Sequence, residues 1–259
     1  MRRMSPRADA AVALDVSDLS IARGSDVGRV VDGVSFTVDR GGALAVMGPT
    51  GSGKSSLAAV LAGVEDPSVS VDGGEARVHG LSVRKRGRTL RMRRYLTGYL
   101  PQGAGAALPA RLTVSELIAA PITSRDRRVN QRALAVRVAA LLDELELPLG
   151  AAAKYPYELS AGMRQRVAFA QALVLDPKVF VGDEPYANLD LEVRRAARDA
   201  LQRRRAERGM ALLVVTNDPV AVEELDADVL VLRGGHTVAY GHGADGLLWT
   251  PDGGSRIVT

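Results

Sequence analysis

The sequence predicts an α/β fold with a parallel-sheet core, antiparallel strands ahead of it and a helical arm inserted in it. Three observations predict it. Val179–Gly182 and Ala211–Val215 are continuous apolar runs, the character of strands buried on both faces of a parallel sheet. Ala43–Met47 is a third short run and leads through a glycine-rich turn into a helical pattern, Ser56–Ala62, which is the strand–loop–helix order of such a core. From Thr113 to Leu149 the apolar residues Leu117, Ile118, Val136, Val138, Leu141, Leu142, Leu145 and Leu147 fall near the spacing of one helix face.

Taken in order, Val12–Ile21 and Val30–Val38 alternate loosely and predict an antiparallel, hairpin-like N-terminal β-subdomain. Val69–Val83 predicts another pair of strands, punctuated by Gly73-Gly74 and Gly80. Residues 104–160 form the inserted helical arm, and Ser160–Leu175 is a further helix. Asp218 followed by Pro219 reads as a helix N-cap and its first turn. Val229–Tyr240 closes the fold as a hairpin through Gly234-Gly235. No internal repeat is present, so residues 1–259 are one unit.

Composition bounds what this unit can be. A hydrophobic share of 46% supports a packed interior, and an aromatic share of 4% requires that interior to be built from Val, Leu, Ala and Ile. No apolar run approaches the roughly 20 residues that span a bilayer. The start, Met1–Pro6, lacks the apolar segment of a secretion signal. With no cysteine, disulfides and thiolate metal sites are excluded. The net charge is +4, and the densest basic run is Arg84-Lys85-Arg86-Gly87-Arg88, continuing through Arg91, Arg93 and Arg94. Only Tyr95 supplies an aromatic there, so this run reads as a solvated helix face rather than a nucleic-acid surface.

Gly48-Pro49-Thr50-Gly51-Ser52-Gly53-Lys54-Ser55 fits the phosphate-loop pattern at every required position, with Ser56 continuing into the helix. Gly48, Gly51 and Gly53 allow the backbone to curl so that successive N–H groups face an anion, and the helix that follows adds its positive dipole end. Lys54 is placed to reach the β- and γ-phosphates of a triphosphate, and the Ser55 hydroxyl to hold Mg²⁺. The core is therefore a P-loop NTPase core. Val179–Gly182 ends in adjacent acids. Strand alternation points Asp183 and Glu184 to opposite faces, Asp183 towards Mg²⁺ and Glu184 towards a water that attacks the γ-phosphate.

Leu159-Ser160-Ala161-Gly162-Met163-Arg164-Gln165-Arg166, upstream of that acidic pair and preceded by Tyr155-Pro156-x-Glu158, resembles the signature motif of ATP-binding-cassette (ABC) ATPases. Its wording is most similar to the oligopeptide and dipeptide importer branch. Gln102, in Tyr99-Leu100-Pro101-Gln102, matches the glutamine loop of that family, and Asn188-Leu189-Asp190 its dimer-interface aspartate loop. The resemblance runs from about Leu14 to Gly241. It implies ATP and Mg²⁺ bound between two cassettes arranged head to tail, of like or unlike chains. Lys54, Ser55 and the loop amides of one copy hold the phosphates, and Ser160 and the Gly162 backbone of the other close over them. It also implies that Gln102 touches the metal and the γ-phosphate. The partners it implies are transmembrane permease subunits and an extracytoplasmic substrate-binding protein, at the cytoplasmic face of the cell membrane.

Three positions depart from the family pattern. Asn217, in Val215-Thr216-Asn217-Asp218, stands where a switch histidine is usual, and His79, His236 and His242 lie elsewhere as surface or turn residues. An Asn amide can donate to a γ-phosphate but cannot carry charge. Arg23 falls where an aromatic ring stacks on adenine, a role a guanidinium plane can take over. Ala161 replaces the first glycine of the signature and crowds the backbone there. The resemblance thus implies the ATP-hydrolysing subunit of a transporter, an importer because no membrane span is fused. The chain also lacks room for the C-terminal extension usual in the peptide branch. Two other readings stand beside it. One is a soluble cassette acting on nucleic acid or ribosomes, supported by the basic run alone. The other, motivated by Asn217, is a weakly hydrolysing regulatory cassette in a mixed dimer.

Overall fold

The computed structural model describes residues 12–24, 28–126, 128–187 and 189–249. Two sheets form. The first is antiparallel, in the order β2 (Arg29–Asp39), β1 (Val12–Arg23), β4 (Val69–Val78), β5 (Leu81–Ser82). The second contains five parallel strands: β9 (Asp228–Arg233), β3 (Ala43–Met47), β8 (Ala211–Val215), β7 (Val179–Asp183) and β6 (Thr97–Leu100). Its β9 edge is extended by the antiparallel strands β10 (His236–His242) and β11 (Gly246–Trp249). The expected end of the fold at the Gly234-Gly235 hairpin is thus one strand short.

The central strands show why continuous apolar runs were legible. Leu44, Val46, Val181, Leu213 and Val215 face one core, together with the antiparallel sheet and α1 (Lys54–Ala62). Their neighbours Ala45, Phe180, Leu212 and Val214 face the other. That second core is covered by α3 (Val114–Thr123), α4 (Gln131–Glu144), α5 (Ala161–Leu173), α6 (Leu191–Arg208) and α7 (Pro219–Glu224). With strand side chains alternating between faces, both must be apolar, and no polar stripe interrupts the run.

The helices begin where side chains cap them. Thr113 and Glu116 form a reciprocal capping box on α3. Ser160 Oγ accepts from Met163 N (3.2 Å), Asp190 from Val193 N (2.9 Å) and Asp218 from Val220 N (2.9 Å). On α4, Leu134, Val138, Leu141 and Leu142 are buried while Val136 is 65% exposed. Two residues on from Leu134 is roughly 200° around a helix, so Val136 leaves the face it was assigned to.

Other expectations change as well. Gly73-Gly74 does not separate strands: β4 runs through it. Gly74 has φ +63° and sits against the Asp18 backbone, where a Cβ would lie 2.0 Å from the carbonyl oxygen, so the pair marks a bulge between β1 and β4. Nor is the basic run simply a solvated face. Arg84 donates to the carbonyls of Val71 and Gly74, buried Arg93 on α2 (Arg88–Leu96) to Ser82 O, and Arg94 to Gly63 O and Glu65. Arg93 and Arg94 staple α2 to its surroundings, while Arg84 ties the turn after β5 to β4; Lys85, Arg86, Arg88 and Arg91 stay exposed.

Arginines also fasten α4 to the rest of the domain. Arg204 of α6, 4% exposed, makes a two-pronged contact with Glu144 (2.9 and 2.6 Å) and a third bond to Asp176 (3.1 Å). Arg137 reaches Val174 O (3.0 Å) and Arg166 reaches Glu146 O (2.7 Å).

Candidate nucleotide site

A cavity of about 300 Å³ opens where β3, β6, β7 and β8 end. It is lined by Thr50, Gly51, Ser52, Gly53, Lys54, Ser55 and Ser56 from the loop, by Gln102, Asp183, Glu184, Val215 and Asn217, and by Arg23 and Val30. Four sequence segments predicted to act together therefore meet. Gly48 and Pro49 lie behind the lining and accept from Lys54 Nζ at 2.7 and 2.9 Å. Ser160, Gly162 and the signature segment do not line this cavity; Ser160 and Ala161 are exposed elsewhere on the chain, so no crowding by Ala161 arises within it. Gly162 packs on α6, where a Cβ would meet Val193 Cγ2 at 2.9 Å. Asn188 of the aspartate loop lies outside the described residues.

Two of the loop glycines are required by contact. A Cβ on Gly48 (φ +138°) would stand 2.0 Å from Leu232 O, and one on Gly53 (φ +98°) 2.2 Å from Val30 O. Gly53 begins α1 without a side-chain cap, which leaves the first amides of the helix facing the cavity. Ser52 Oγ is buried and has no partner among the described residues. Orphaned donors beside a lysine are what a phosphate chain satisfies, so the residues present fit a triphosphate.

The electrostatics are consistent with that. Burial lowers the pKa of Lys54, against the pull of Glu184 and Asp183. Burial raises the Asp183 carboxyl, opposed by the Ser55 hydroxyl bonded to it and by Lys54. Glu184 is raised by burial and then by the Asp183 charge, against Lys54 and a bond from Thr216. Ser55 and Asp183 are the pair that fits Mg²⁺. Among the described residues no group of three or more His, Cys or acidic side chains is placed for a metal, so phosphate oxygens and water must complete such a shell.

One expectation about the acids is corrected. Glu184 does not continue the strand alternation. It follows β7 with φ +48° and donates its amide to Val215 O at 2.9 Å, so both carboxylates line the one cavity. A left-handed backbone at a non-glycine residue is strained, and it persists here where the chain must turn an acid inward. Thr216, buried and bonded to Glu184, also belongs to the site, a role that its place between Val215 and Asn217 does not reveal. Gln165 was also missed as a connector: from α5 it accepts from Gly105 N (3.0 Å) and donates to Pro185 O (3.2 Å), joining the loop after Gln102 to the turn after Glu184. Asn217 Oδ1 accepts from Gly48 N at 2.9 Å, and its amide nitrogen has no partner among the described residues.

A strand, a glycine loop holding a buried lysine and a second strand ending in acids define the chain as a P-loop nucleoside-triphosphate-binding protein of the α/β class. The sequence profile of the ABC transporter family matches residues 31–187, and this chain belongs to that family. It is 34% identical over 211 residues to an Fe(3+) ions import ATP-binding protein of Pseudomonas fluorescens, covering 82% of this chain and 56% of that one. It is 30% identical over 213 residues to an oligopeptide transport ATP-binding protein of Escherichia coli, covering 82% and 63%. The chain therefore spans less than two thirds of the length of these relatives. The fold is similar to that of a dimeric ATP-binding cassette solved with ADP and Pi, at TM-score 0.79 and 22% identity, covering 88% and 98%. A solved ATP-binding subunit of an ABC transporter gives TM-score 0.73 at 25% identity, covering 90% and 91%. Among the described residues no helix is long and apolar enough to cross a membrane.

Proposed function

We propose that this chain is the ATP-binding subunit of an importer, coupling ATP binding and hydrolysis at a head-to-tail cassette dimer to transport by separate transmembrane permease subunits at the cytoplasmic face of the membrane. The observation that carries the reading is the convergence of Lys54, Ser55, Gln102, Asp183, Glu184 and Asn217 on one cavity, with Ser160 and Gly162 exposed or half-buried outside it. A site whose signature residues lie on another surface is incomplete in one copy and complete in two. The direction is supported by relatives described as import proteins for iron and for sulfate or thiosulfate. The helical arm, 104–160, is the part assigned to the permeases, and a substrate-binding protein outside the membrane would deliver the cargo.

Bound ATP supplies the phosphoanhydride whose hydrolysis drives the cycle, with Mg²⁺ offsetting phosphate charge. The chain's own residues do the rest. Lys54, held by the carbonyls of Gly48 and Pro49, is the cation for the phosphates. Ser55 and Asp183 present adjacent oxygens to a divalent cation, and Gln102 reaches the same space from its rim. Glu184, with its carboxyl raised by burial and fixed by Thr216, is suited to take a proton from water. Asn217 offers only a neutral N–H where family members offer an imidazole, which supports a slow site, or a regulatory chain paired with a stronger partner.

The test is a Glu184→Gln chain mixed with ATP and Mg²⁺ and sized in solution. A shift to twice the monomer mass, lost when Ser160→Arg is added, is expected. A nucleotide-bound protein that stays monomeric in both would overturn the dimer.

A further inference from the structure

β7 and β8 stay in register as far as Asp183 and Val215, and the Glu184 amide adds one bond to Val215 O. Beyond that point the strands part into two turns, one carrying Glu184 and the other Asn217. Side chains join these turns. The Thr216 hydroxyl donates to the Glu184 carboxylate and accepts from Asp218 N at 3.1 Å. Asp218 caps α7 with one oxygen, at Val220 N, and receives Arg194 Nη1 on the other at 2.6 Å. Arg194, near the start of α6, has a side chain 17% exposed and also donates from Nε to Glu224 at 2.8 Å. Its guanidinium carbon lies 5.4 Å from the centroid of the Tyr186 ring, two residues after Glu184. One cation therefore touches both turns.

We infer that Arg194 is a positioning residue for hydrolysis, holding the Glu184 turn and the Asn217 turn at one fixed spacing. The inference rests on the reading of Glu184 as the group that takes a proton from water, and adds what sets its place. Arg194 does not line the cavity, so it acts only through the turns it holds. Capping α7 needs Asp218 alone. What the guanidinium adds is direction, because two carboxylates and a ring fix its plane, and the plane fixes Asp218. Thr216 has a single hydroxyl proton. With Asp218 N bonded to its oxygen, that proton is aimed at Glu184. Loosening Asp218 frees the hydroxyl to rotate, and with it the carboxylate that must stand within hydrogen-bond reach of a water. A lysine at 194 would keep the charge without the fork, and could not serve Asp218, Glu224 and the ring together.

The test compares wild type with Arg194→Met, Arg194→Lys, Asp218→Asn and the double variant Arg194→Met/Asp218→Asn. Asparagine keeps the cap on α7 and loses the charge. Arg204→Met, whose partners lie away from the cavity, is the control for a lost clasp. Without nucleotide, amide hydrogen exchange over residues 184–187 and 216–220 should be about tenfold faster in Arg194→Met, the size of one lost charge-assisted hydrogen bond, and unchanged in Arg204→Met. With ATP and Mg²⁺, kcat of Arg194→Met should fall about tenfold to a hundredfold while ATP affinity stays within about twofold. Arg194→Lys should recover part of the loss, and the double variant should be no slower than the slower single one. If Arg194→Met does not fold, Asp218→Asn is read in its place with the same expectations. Wild-type turnover in Arg194→Met, unchanged exchange, or losses that multiply in the double variant overturn the inference and leave Glu184 assigned. A wild-type chain that binds ATP without hydrolysing it overturns the role of Glu184 and this inference with it, and one that binds no ATP overturns the nucleotide reading itself.

Discussion

Replacing Asn217 with histidine asks whether one side chain sets the rate of this site. In the structure the Asn217 amide is already oriented, because Oδ1 takes the Gly48 N–H at 2.9 Å and the NH₂ end is left for the cavity. A neutral imidazole can keep the same division of labour, with Nδ1 accepting from Gly48 and Nε2–H donating further into the site. If that donor reaches the charge that develops during hydrolysis, the gain is that of one preorganised transition-state contact, about 2.7–4 kcal/mol or 10²–10³ in kcat. If the ring instead forfeits the Gly48 bond, about 1 kcal/mol is lost, roughly a fivefold offset. The net expectation for Asn217→His is a rise in kcat of at least about tenfold with little change in KM. Steady-state phosphate release reads it, with nucleotide affinity measured in parallel. Unchanged turnover at unchanged affinity would refute the reasoning and place the limit elsewhere.

Two further outcomes concern stability and pH. Arg204→Met leaves half-buried Glu144 without its two-pronged partner, which should cost about 1–3 kcal/mol, roughly 2–12 °C in melting temperature. Adding Glu144→Leu should recover most of it, and a single variant that melts like wild type would remove the clasp from the account. Asp183 and Glu184 have carboxyl pKa values raised above their ordinary 3.8 and 4.5, so the folded chain keeps protons that the unfolded chain has released. Their contribution to stability is present below those ordinary values and is lost as pH rises through the raised ones. Lys54, lowered from 10.5, acts with the opposite slope in the alkaline range. Nucleotide-free Asp183→Asn should therefore gain in melting temperature over wild type as pH rises from acidic to neutral, while losing the Mg²⁺-dependent part of stabilisation by ATP. A constant difference across that range would contradict the assigned shift.

Much of this fold was legible because its signals are local. The apolar runs of β3, β7 and β8, the loop between Gly48 and Ser55, and the caps at Ser160 and Asp218 each depend on a few adjacent residues. What escaped depends on residues far apart in the chain. Gly73-Gly74 looks like a turn until the bulge opposite Asp18 is seen, and nothing near Arg93 shows that Ser82 O receives it. Glu184 was assigned its neighbourhood correctly and its direction wrongly, since alternation holds only while the strand lasts and the chain turns left-handed just there. Thr216 and Gln165 sat inside quoted motifs, but their roles are bonds to Glu184, Gly105 and Pro185, which spacing alone does not reveal.

The first glycine of the loop carries a consequence for how the protein is made. Its amide is held by Asn217, 169 residues downstream, and its bare α-carbon is pressed against the Leu232 carbonyl. A nascent chain emerging from the ribosome thus displays the whole motif long before the cradle exists. Only once β9 has been synthesised and docked beside β3 can Leu232 O close on that glycine, so the shape of an early loop is finished by one of the last strands of the sheet.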